Sequence, residues 1–299
     1  MHVRILLIIA MLFASARIWS QDFGDTPYVQ TPQNVVDAML ETARVKRDDY
    51  VIDLGSGDGR MVITAAKKHG AQGFGVDLDR RLVNLANINA RKAGVAERAK
   101  FYAQDLFETD LSRASVVTLY LLPEVNIMAS SKLLALRPGT RIVSHDYGIG
   151  DWTPDSEYEI DAPNKPVGRS KMSKVLYWIV PDHVAGRWMW LLARSTATHQ
   201  VTMLIQQNYQ KLDVKAELDG NPVQVEQAQL IGKQLSFKLT LSTGEQFVYS
   251  GERVNNAFEG SQTQSGQDAK PWSAVRVEMA VPMHVLKPME SPREPGVNF

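Results

Sequence analysis

Tyr50-Val-Ile-Asp53-Leu-Gly55-Ser-Gly57-Asp-Gly59-Arg60 is the stretch that decides the fold. An apolar run ends at Asp53, three glycines alternate, and residues of helical spacing begin at Arg60. The pattern reads as strand, tight turn and helix. Glycine tolerates positive φ and lets a ligand lie against bare main chain. The start of the helix offers unpaired N–H groups and a partial positive charge.

Dinucleotide-binding loops space their glycines G-x-G-x-x-G. The spacing here is D-x-G-x-G-x-G, which resembles motif I of class I S-adenosylmethionine (SAM) methyltransferases. Glycines alone would equally suit a turn between any strand and helix, so the weight falls on the strands downstream. A second apolar run, 73–76, ends in Asp77-Leu78-Asp79 about twenty residues on, where an acidic strand end meets ribose hydroxyls in folds of this kind. A carboxylate accepts two hydrogen bonds, which suits a vicinal diol. A third run, 100–103, leads into Gln104-Asp105-Leu106. The resemblance implies that Asp105 touches the adenine amino group. It also implies SAM as cofactor, held by Asp53, Gly55, Ser56, Gly57, Gly59, Arg60, Asp77, Leu78, Asp105 and Leu106.

The chain around the motif alternates regularly. Strands are expected over 50–54, 73–77, 99–103, 115–121 and 140–145, with helices over 60–69, 80–92 and 125–136. Two more strands, 157–160 and 174–180, read as the antiparallel pair that closes a seven-stranded methyltransferase sheet. Alternation of this kind predicts an α/β, Rossmann-like doubly wound sheet with helices on both faces and ligands at the carboxyl ends of the strands. Upstream, a helix beginning near Pro32 carries Val35, Val36, Met39, Leu40 and Ala43 at helical spacing. The extended segment before it makes Tyr28 and Thr31 candidates for a lid over the cofactor; a linker with a buried tyrosine is the plainer reading.

The fourth strand ends in Leu121-Leu-Pro123-Glu124, the position that faces the methyl acceptor in this superfamily. Base-amine methylases often carry Asn/Asp-Pro-Pro-aromatic there, and this chain does not. Glu124 is a candidate to orient an amine or take its proton, against the alternative of a carboxylate favoured by a helix N-terminus. His145 and Asp146 follow the fifth strand. His145 is the second-tier catalytic candidate, although a lone histidine at a strand end is more often structural. The basic run within 163–173, with Lys165, Arg169 and Lys171, reads as a solvated loop.

From His183 helical periodicity disappears. Short alternating runs are separated by turn signals such as Asp219-Gly220-Asn221-Pro222, Ser242-Thr-Gly244 and Gly260-Ser261. About eight strands in roughly a hundred residues predict a small antiparallel barrel or sandwich. Gly186-Arg-Trp188 on the first strand is similar to the Gly-x-Trp of lipocalin-like barrels, and Arg276 on the last is placed to stack over that tryptophan. The expected organisation is 1–20 signal peptide or anchor, 26–181 methyltransferase domain, 183–281 β-rich lipocalin-like domain and 282–299 proline-rich disordered tail.

Composition narrows the function classes. At 299 residues two domains are expected, and 44% apolar content builds real cores. Lys+Arg and Asp+Glu balance at 33 each, so no net charge draws the chain to nucleic acid, and no specific nucleic-acid partner is expected. The absence of cysteine excludes disulfides, thiolate metal sites and a cysteine nucleophile. No ligand cluster with metal spacing stands out, so no metal is expected. Met1-His-Val-Arg4, the apolar run 5–14 and the small residues to Ser20 fit a signal peptide, with cleavage after Ala16 or Ser20, or else a retained anchor. The expected compartment is therefore the exported, periplasmic side, and no further membrane span is expected.

Residues 27–155 resemble a narrower family, the seven-stranded lysine methyltransferases that act on the c-ring protein of ATP synthase and on the adenine nucleotide translocase, with their bacterial relatives. The resemblance rests on Pro27-Tyr28-Val29, Asp53 to Arg60, Lys100-Phe-Tyr102, Asp105-Leu106, Pro123, Arg141 and Trp152-Thr-Pro-Asp155. It implies a protein-lysine acceptor, Tyr28 and the motif residues at the cofactor, and Pro123 and Glu124 beside the target amine. The export-like N-terminus and the β-rich half depart from the family. Two other readings compete: a small-molecule or RNA methyltransferase, and a non-catalytic SAM-fold binding protein whose barrel does the work.

Overall fold

The computed structural model describes residues 28–168, 170–194 and 197–285; the expected signal or anchor segment, Arg169 and the tail beyond 285 lie outside these. The first domain runs α1 (Gln33–Thr42), β1 (Tyr50–Leu54), α2 (Arg60–Lys68), β2 (Gln72–Asp77), α3 (Arg80–Lys92), β3 (Ala99–Ala103) and β4 (Val116–Leu119). It continues with α4 (Pro123–Leu134), β5 (Arg141–His145), β6 (Ser156–Asp161) and β7 (Met172–Ile179). The strand order is β3-β2-β1-β4-β5-β7-β6. The first five strands are parallel; β7 runs antiparallel to both β5 and β6. The carboxyl ends of β1, β2, β3, β4 and β5 thus share one edge.

Local chemistry sets the element boundaries. Asp79 caps α3 by accepting from the Arg81 N–H at 2.7 Å. Helix α4 begins two residues earlier than the sequence predicts because Pro123 takes its first position, where a missing N–H costs nothing. In α1 the predicted stripe of Val35, Val36, Met39, Leu40 and Ala43 is fully buried. Arg141 ties the α1–β1 connection down, donating to the carbonyls of Ala43 and Arg44 and pairing with Asp49.

The two faces of the sheet are unequally covered. Helices α1 and α2 pack on one face against Val51, Val116, Val143 and Val175, with α3 beside α2. On the other face, among the described residues, α4 alone supplies helical cover over Ile52, Val117, Leu119 and Ile142. The remainder is covered by Trp152, Trp178 and a tyrosine from the second domain, Tyr209.

That second domain is a closed eight-stranded barrel: β8 (Gly186–Ala193), β9 (Thr198–Asn208), β10 (Lys211–Leu218), β11 (Asn221–Ile231), β12 (Gln234–Thr240), β13 (Gln246–Val254), β14 (Ala257–Gln264) and β15 (Lys270–Met279). Each strand pairs antiparallel with its sequence neighbour, and β15 pairs with β8 to close the ring. Trp188, Trp190, Phe237, Tyr249, Phe258 and Trp272 fill the interior, as expected for a ring of eight strands whose lumen is one side chain deep. The Arg276 guanidinium lies 4.4 Å over the Trp188 ring.

Two expectations change here. Gly260-Ser261 is not a turn but lies inside β14, with Gly260 opposite Gly251. A Cβ on Gly260 would sit 2.1 Å from the Ser250 carbonyl oxygen, so the glycine pair lets two backbones close up where the barrel bends. Residues 282–285 depart from the expected disordered tail, because Pro282 is buried and Met283–Val285 form a 3-10 turn docked beside β9; the rest of that expected tail lies outside the described residues.

Candidate active site

The glycine loop crosses over the end of β2, with the Gly55 and Ser56 N–H groups both donating to the Val76 carbonyl at 2.9 Å. Asp77 organises the next step: one carboxylate oxygen accepts from the Gly57 N–H and the other from the Asp79 N–H, each at 2.9 Å. The Gln104 N–H, from the end of β3, donates to the Asp77 carbonyl at 3.1 Å. Asp105 then bends its own turn by accepting from the Phe107 N–H at 2.8 Å. Leu106 is half-buried beside it, while Leu78 stays 75% exposed at the same edge. The three predicted acidic strand ends are therefore neighbours.

Asp53 is buried at the end of β1 and accepts from the Thr118 hydroxyl at 2.5 Å. Burial raises its carboxyl to about 7, against the help of Thr118, and the charges of Asp77 and Asp58 push the same way. Such a site disfavours its own negative charge until a cation arrives.

The pre-helix segment lies over the glycine loop. The Tyr28 ring covers Gly57, whose φ is +51°; a Cβ there would fall 2.3 Å from Tyr28 Cε2. Arg60 holds this segment rather than facing a ligand. It forms a forked pair with Asp58 (2.6 Å at the closest) and donates to the Thr31 carbonyl at 2.7 Å.

Thr31 and His145 are corrected in role. The Thr31 hydroxyl is hydrogen-bonded to His145 Nδ1 at 3.2 Å, and His145 Nε2 to the Ser173 hydroxyl at 2.9 Å. His145 is fully buried, and burial lowers its pKa to about 4, outweighing the opposing pull of Asp146. A neutral imidazole with both nitrogens engaged does not face an acceptor; it anchors the lid to β5. Lys165 likewise leaves the solvated loop of the sequence reading, since its ammonium is 2.7 Å from Asp146 and mostly buried.

On the acceptor side, Pro123 and Glu124 open α4, and Glu124 is exposed. Sequence reasoning missed two aromatic residues beside them. Tyr120, just past β4, stacks on His145 with centroids 4.0 Å apart. Tyr147, just past β5, lies nearly parallel to Tyr120 at 6.3 Å and 16°. Their only signal in the sequence was adjacency to strand ends, which many structural residues share. Leu122, Ile127 and Met128 leave an exposed apolar rim around the pair.

A parallel five-strand core with an antiparallel closing pair, a glycine loop and acidic ends on β1, β2 and β3 together define a class I SAM-dependent methyltransferase. The residues fit that cofactor. Asp53, Asp58 and Asp77 gather at one strand edge, an environment suited to a cationic cofactor, Leu78 is exposed at the same edge, and the buried Ser56 hydroxyl has no hydrogen-bond partner among the described residues. The family described as the ANTKMT methyltransferase domain matches residues 53–156. A protein-lysine N-methyltransferase of Saccharolobus islandicus (strain REY15A) is 45% identical over 140 residues, 46% of this chain and 87% of that protein. The adenine nucleotide translocase lysine N-methyltransferase of Mus musculus is 33% identical over 129 residues, 43% of this chain and 56% of that one, so the chain spans little more than half its length. A solved structure of an RNA methyltransferase from Salinibacter ruber with S-adenosyl-L-homocysteine is 47% identical, covers 52% of this chain and 96% of that chain, and has a TM-score of 0.47. This chain belongs to the ANTKMT methyltransferase family.

The raised Asp53 pKa makes a sign-definite prediction. An ionised Asp53 attracts the ligand's ammonium group, so affinity for S-adenosyl-L-homocysteine is expected to rise with pH up to about 7 and then level off. If binding ionises Asp53, it is expected to release about 0.9 proton at pH 6 and about 0.1 at pH 8. Calorimetry in two buffers of different ionisation enthalpy measures this. Equal release at both pH values, or release unchanged in Asp53→Asn, would show that Asp53 is not the group.

Proposed function

We propose that this chain methylates a lysine side chain of a protein. The observation that carries the reading is the acceptor side itself. Two near-parallel tyrosine rings and an exposed Glu124 stand beyond β4 and β5, and the Asn/Asp-Pro-Pro-aromatic signature of base-amine methylases is replaced by Leu121-Leu-Pro-Glu124. The similarity to the Saccharolobus islandicus protein-lysine enzyme supports the same class of acceptor.

SAM, when bound, supplies an electrophilic methyl group for in-line displacement. The chain positions the partners and keeps water out. Asp77, Asp53 and the loop fix the cofactor side, with Tyr28 as cover. The Tyr120 phenol is pushed up to about 12, chiefly by burial and then by Asp146 and Tyr147, so it stays protonated and its ring face attracts a cation. The acceptor ammonium has no lone pair and must lose a proton before it attacks. Glu124, exposed at the α4 N-terminus, accepts that proton and passes it to solvent.

The proposal includes delivery by the apolar N-terminal run 5–14; among the described residues no helix is long and apolar enough to cross a membrane. Cell fractionation that finds the chain wholly in the cytoplasm would remove this part of the reading.

A labelled-methyl assay on extracts split into protein, RNA and small-molecule fractions tests the reaction. Label recovered as methyl-lysine after protein hydrolysis is the expected result, with Glu124→Gln reducing the rate about 10- to 100-fold. Label confined to RNA or to small molecules would overturn the lysine reading.

A further inference from the structure

The loop 146–152 carries Tyr147 at its start and ends against the barrel. Its first half is held by α4 and β5. The buried Asn126 side chain donates to the Gly148 carbonyl at 3.1 Å, and the Ser144 hydroxyl to the Tyr147 carbonyl at 2.6 Å. Its second half is held by the sheet core, where the Trp178 indole N–H donates to the Trp152 carbonyl at 2.9 Å, and by the other domain. The Tyr209 hydroxyl donates to Asp151 at 2.5 Å, and the Tyr209 ring stacks on Trp152 with centroids 5.6 Å apart and planes within 8°. The Trp152 indole N–H donates to Gln210 Oε1 at 3.0 Å, and the Gln210 amide returns a bond to the Thr153 carbonyl at 2.8 Å. Two glycines, Gly148 and Gly150, sit between the halves, and the only backbone bond that spans Gly150 is the one from the Trp152 N–H to the Ile149 carbonyl at 3.0 Å, among the described residues.

Tyr209 is itself over-determined. It occupies the β9–β10 turn with φ +55°, a left-handed conformation that a tyrosine adopts only when its surroundings demand it. Its other ring face stacks on His284 at 4.5 Å, and its N–H donates to His284 Nδ1 at 2.9 Å. The Gln207 amide donates to its carbonyl at 2.8 Å. Tyr209 and Gln210 are the two-residue loop of the β9–β10 hairpin, a turn that calls for positive φ at its first position, so the hairpin itself sets where the Tyr209 side chain leaves the barrel.

The archaeal relative sharpens the point. The match takes in 87% of that protein, which leaves too little of it to build eight strands. The barrel is an addition in this chain, and it supplies cover on the sheet face where α4 stands alone.

We propose that the barrel completes the acceptor side of the methyltransferase site, with Tyr209 as the positioning residue that fixes loop 146–152 and through it Tyr147. The inference rests on the methyl-transfer reading for its consequence, but its test does not. Hydrogen–deuterium exchange on the full chain with S-adenosyl-L-homocysteine compares wild type, Tyr209→Phe, Tyr209→Ala and Asp151→Asn. Exchange at 146–152 is expected to rise about tenfold in Tyr209→Ala and about threefold in the two milder variants. Exchange at 53–60, protection of β12 and β13, and S-adenosyl-L-homocysteine affinity are expected to stay within about twofold. In the protein-fraction methylation assay, KM for the acceptor rises about tenfold while KM for SAM holds. Unchanged exchange at 146–152 in Tyr209→Ala overturns the proposal. So does loosening of 53–60 in step with the loop in the milder variants, which marks general destabilisation. If no fraction accepts label, the lysine reading fails while the exchange result still decides whether Tyr209 positions the loop.

Discussion

Asp77→Ala is expected to weaken S-adenosyl-L-homocysteine binding by at least about 100-fold while leaving the melting temperature within a few degrees. The side chain has two duties. In the structure both its oxygens are engaged, by the Gly57 and Asp79 N–H groups. A carboxylate has lone pairs beyond those two, which leaves acceptor capacity for a ribose diol. Two charge-assisted bonds to a ligand are each worth about 1.5–3 kcal/mol, and losing both accounts for the expected factor. The loop loses one anchor as well, because Gly57 then has no acceptor at the end of β2, while Gly55 and Ser56 keep theirs on the Val76 carbonyl. Asp77→Asn separates the two effects. Its oxygen replaces one acceptor, but its NH2 group points a donor at a backbone donor, so the affinity loss is nearly as large. Titration calorimetry on both variants, with a thermal melt of each, gives the answer. Micromolar binding by folded Asp77→Ala would remove Asp77 from the cofactor site and leave the acidic strand ends unexplained.

Much of this site was legible because it sits on regular structure. A strand end is fixed by where an apolar run stops, so Asp53, Asp77 and Asp105 arrive at one edge as soon as the alternation is parallel. Helix 80–92 and strand 99–103 are found at their predicted limits. What was not legible depends on contacts distant in sequence. His145 looks like any polar residue at a strand end until Thr31 and Ser173, 114 and 28 residues away, take its two nitrogens. Tyr120 and Tyr147 become a pair only because β4 and β5 are adjacent. The second face of the sheet shows the same limit. The periodicity gives α4 but cannot say that a tyrosine from a barrel turn covers the tryptophans beside it. Arg276 and Trp188 are the exception, since closing an eight-stranded ring forces the first and last strands together.

That closure carries the second large effect. Trp188→Ala is expected to cost about 3–5 kcal/mol and to lower the melting temperature by roughly 10 °C. The ring is fully buried, packs 4.2 Å from Phe258 and donates its N–H to the Val184 carbonyl at 2.9 Å. It also supplies the face on which Arg276 rests. Arg276 is buried, its guanidinium donates to the His183 carbonyl at 2.5 Å, and its Nε has no hydrogen-bond partner among the described residues. Removing the tryptophan therefore opens a cavity and strips a desolvated cation of its main contact, two penalties with one cause. Trp188→Phe keeps most of the volume and a weaker ring face, so about half the loss is expected. Tyr209 and Trp152 join the barrel to the sheet, and weakening the barrel alone should uncouple the two in unfolding. Denaturant unfolding followed by circular dichroism is expected to show one transition in wild type and a separate early barrel transition in Trp188→Ala. S-adenosyl-L-homocysteine affinity at low temperature should be unchanged, since Trp188 touches no part of the cofactor edge. A Trp188→Ala protein as stable as wild type would mean that the β8–β15 seam, and the stacking that closes it, contributes little to holding the barrel shut.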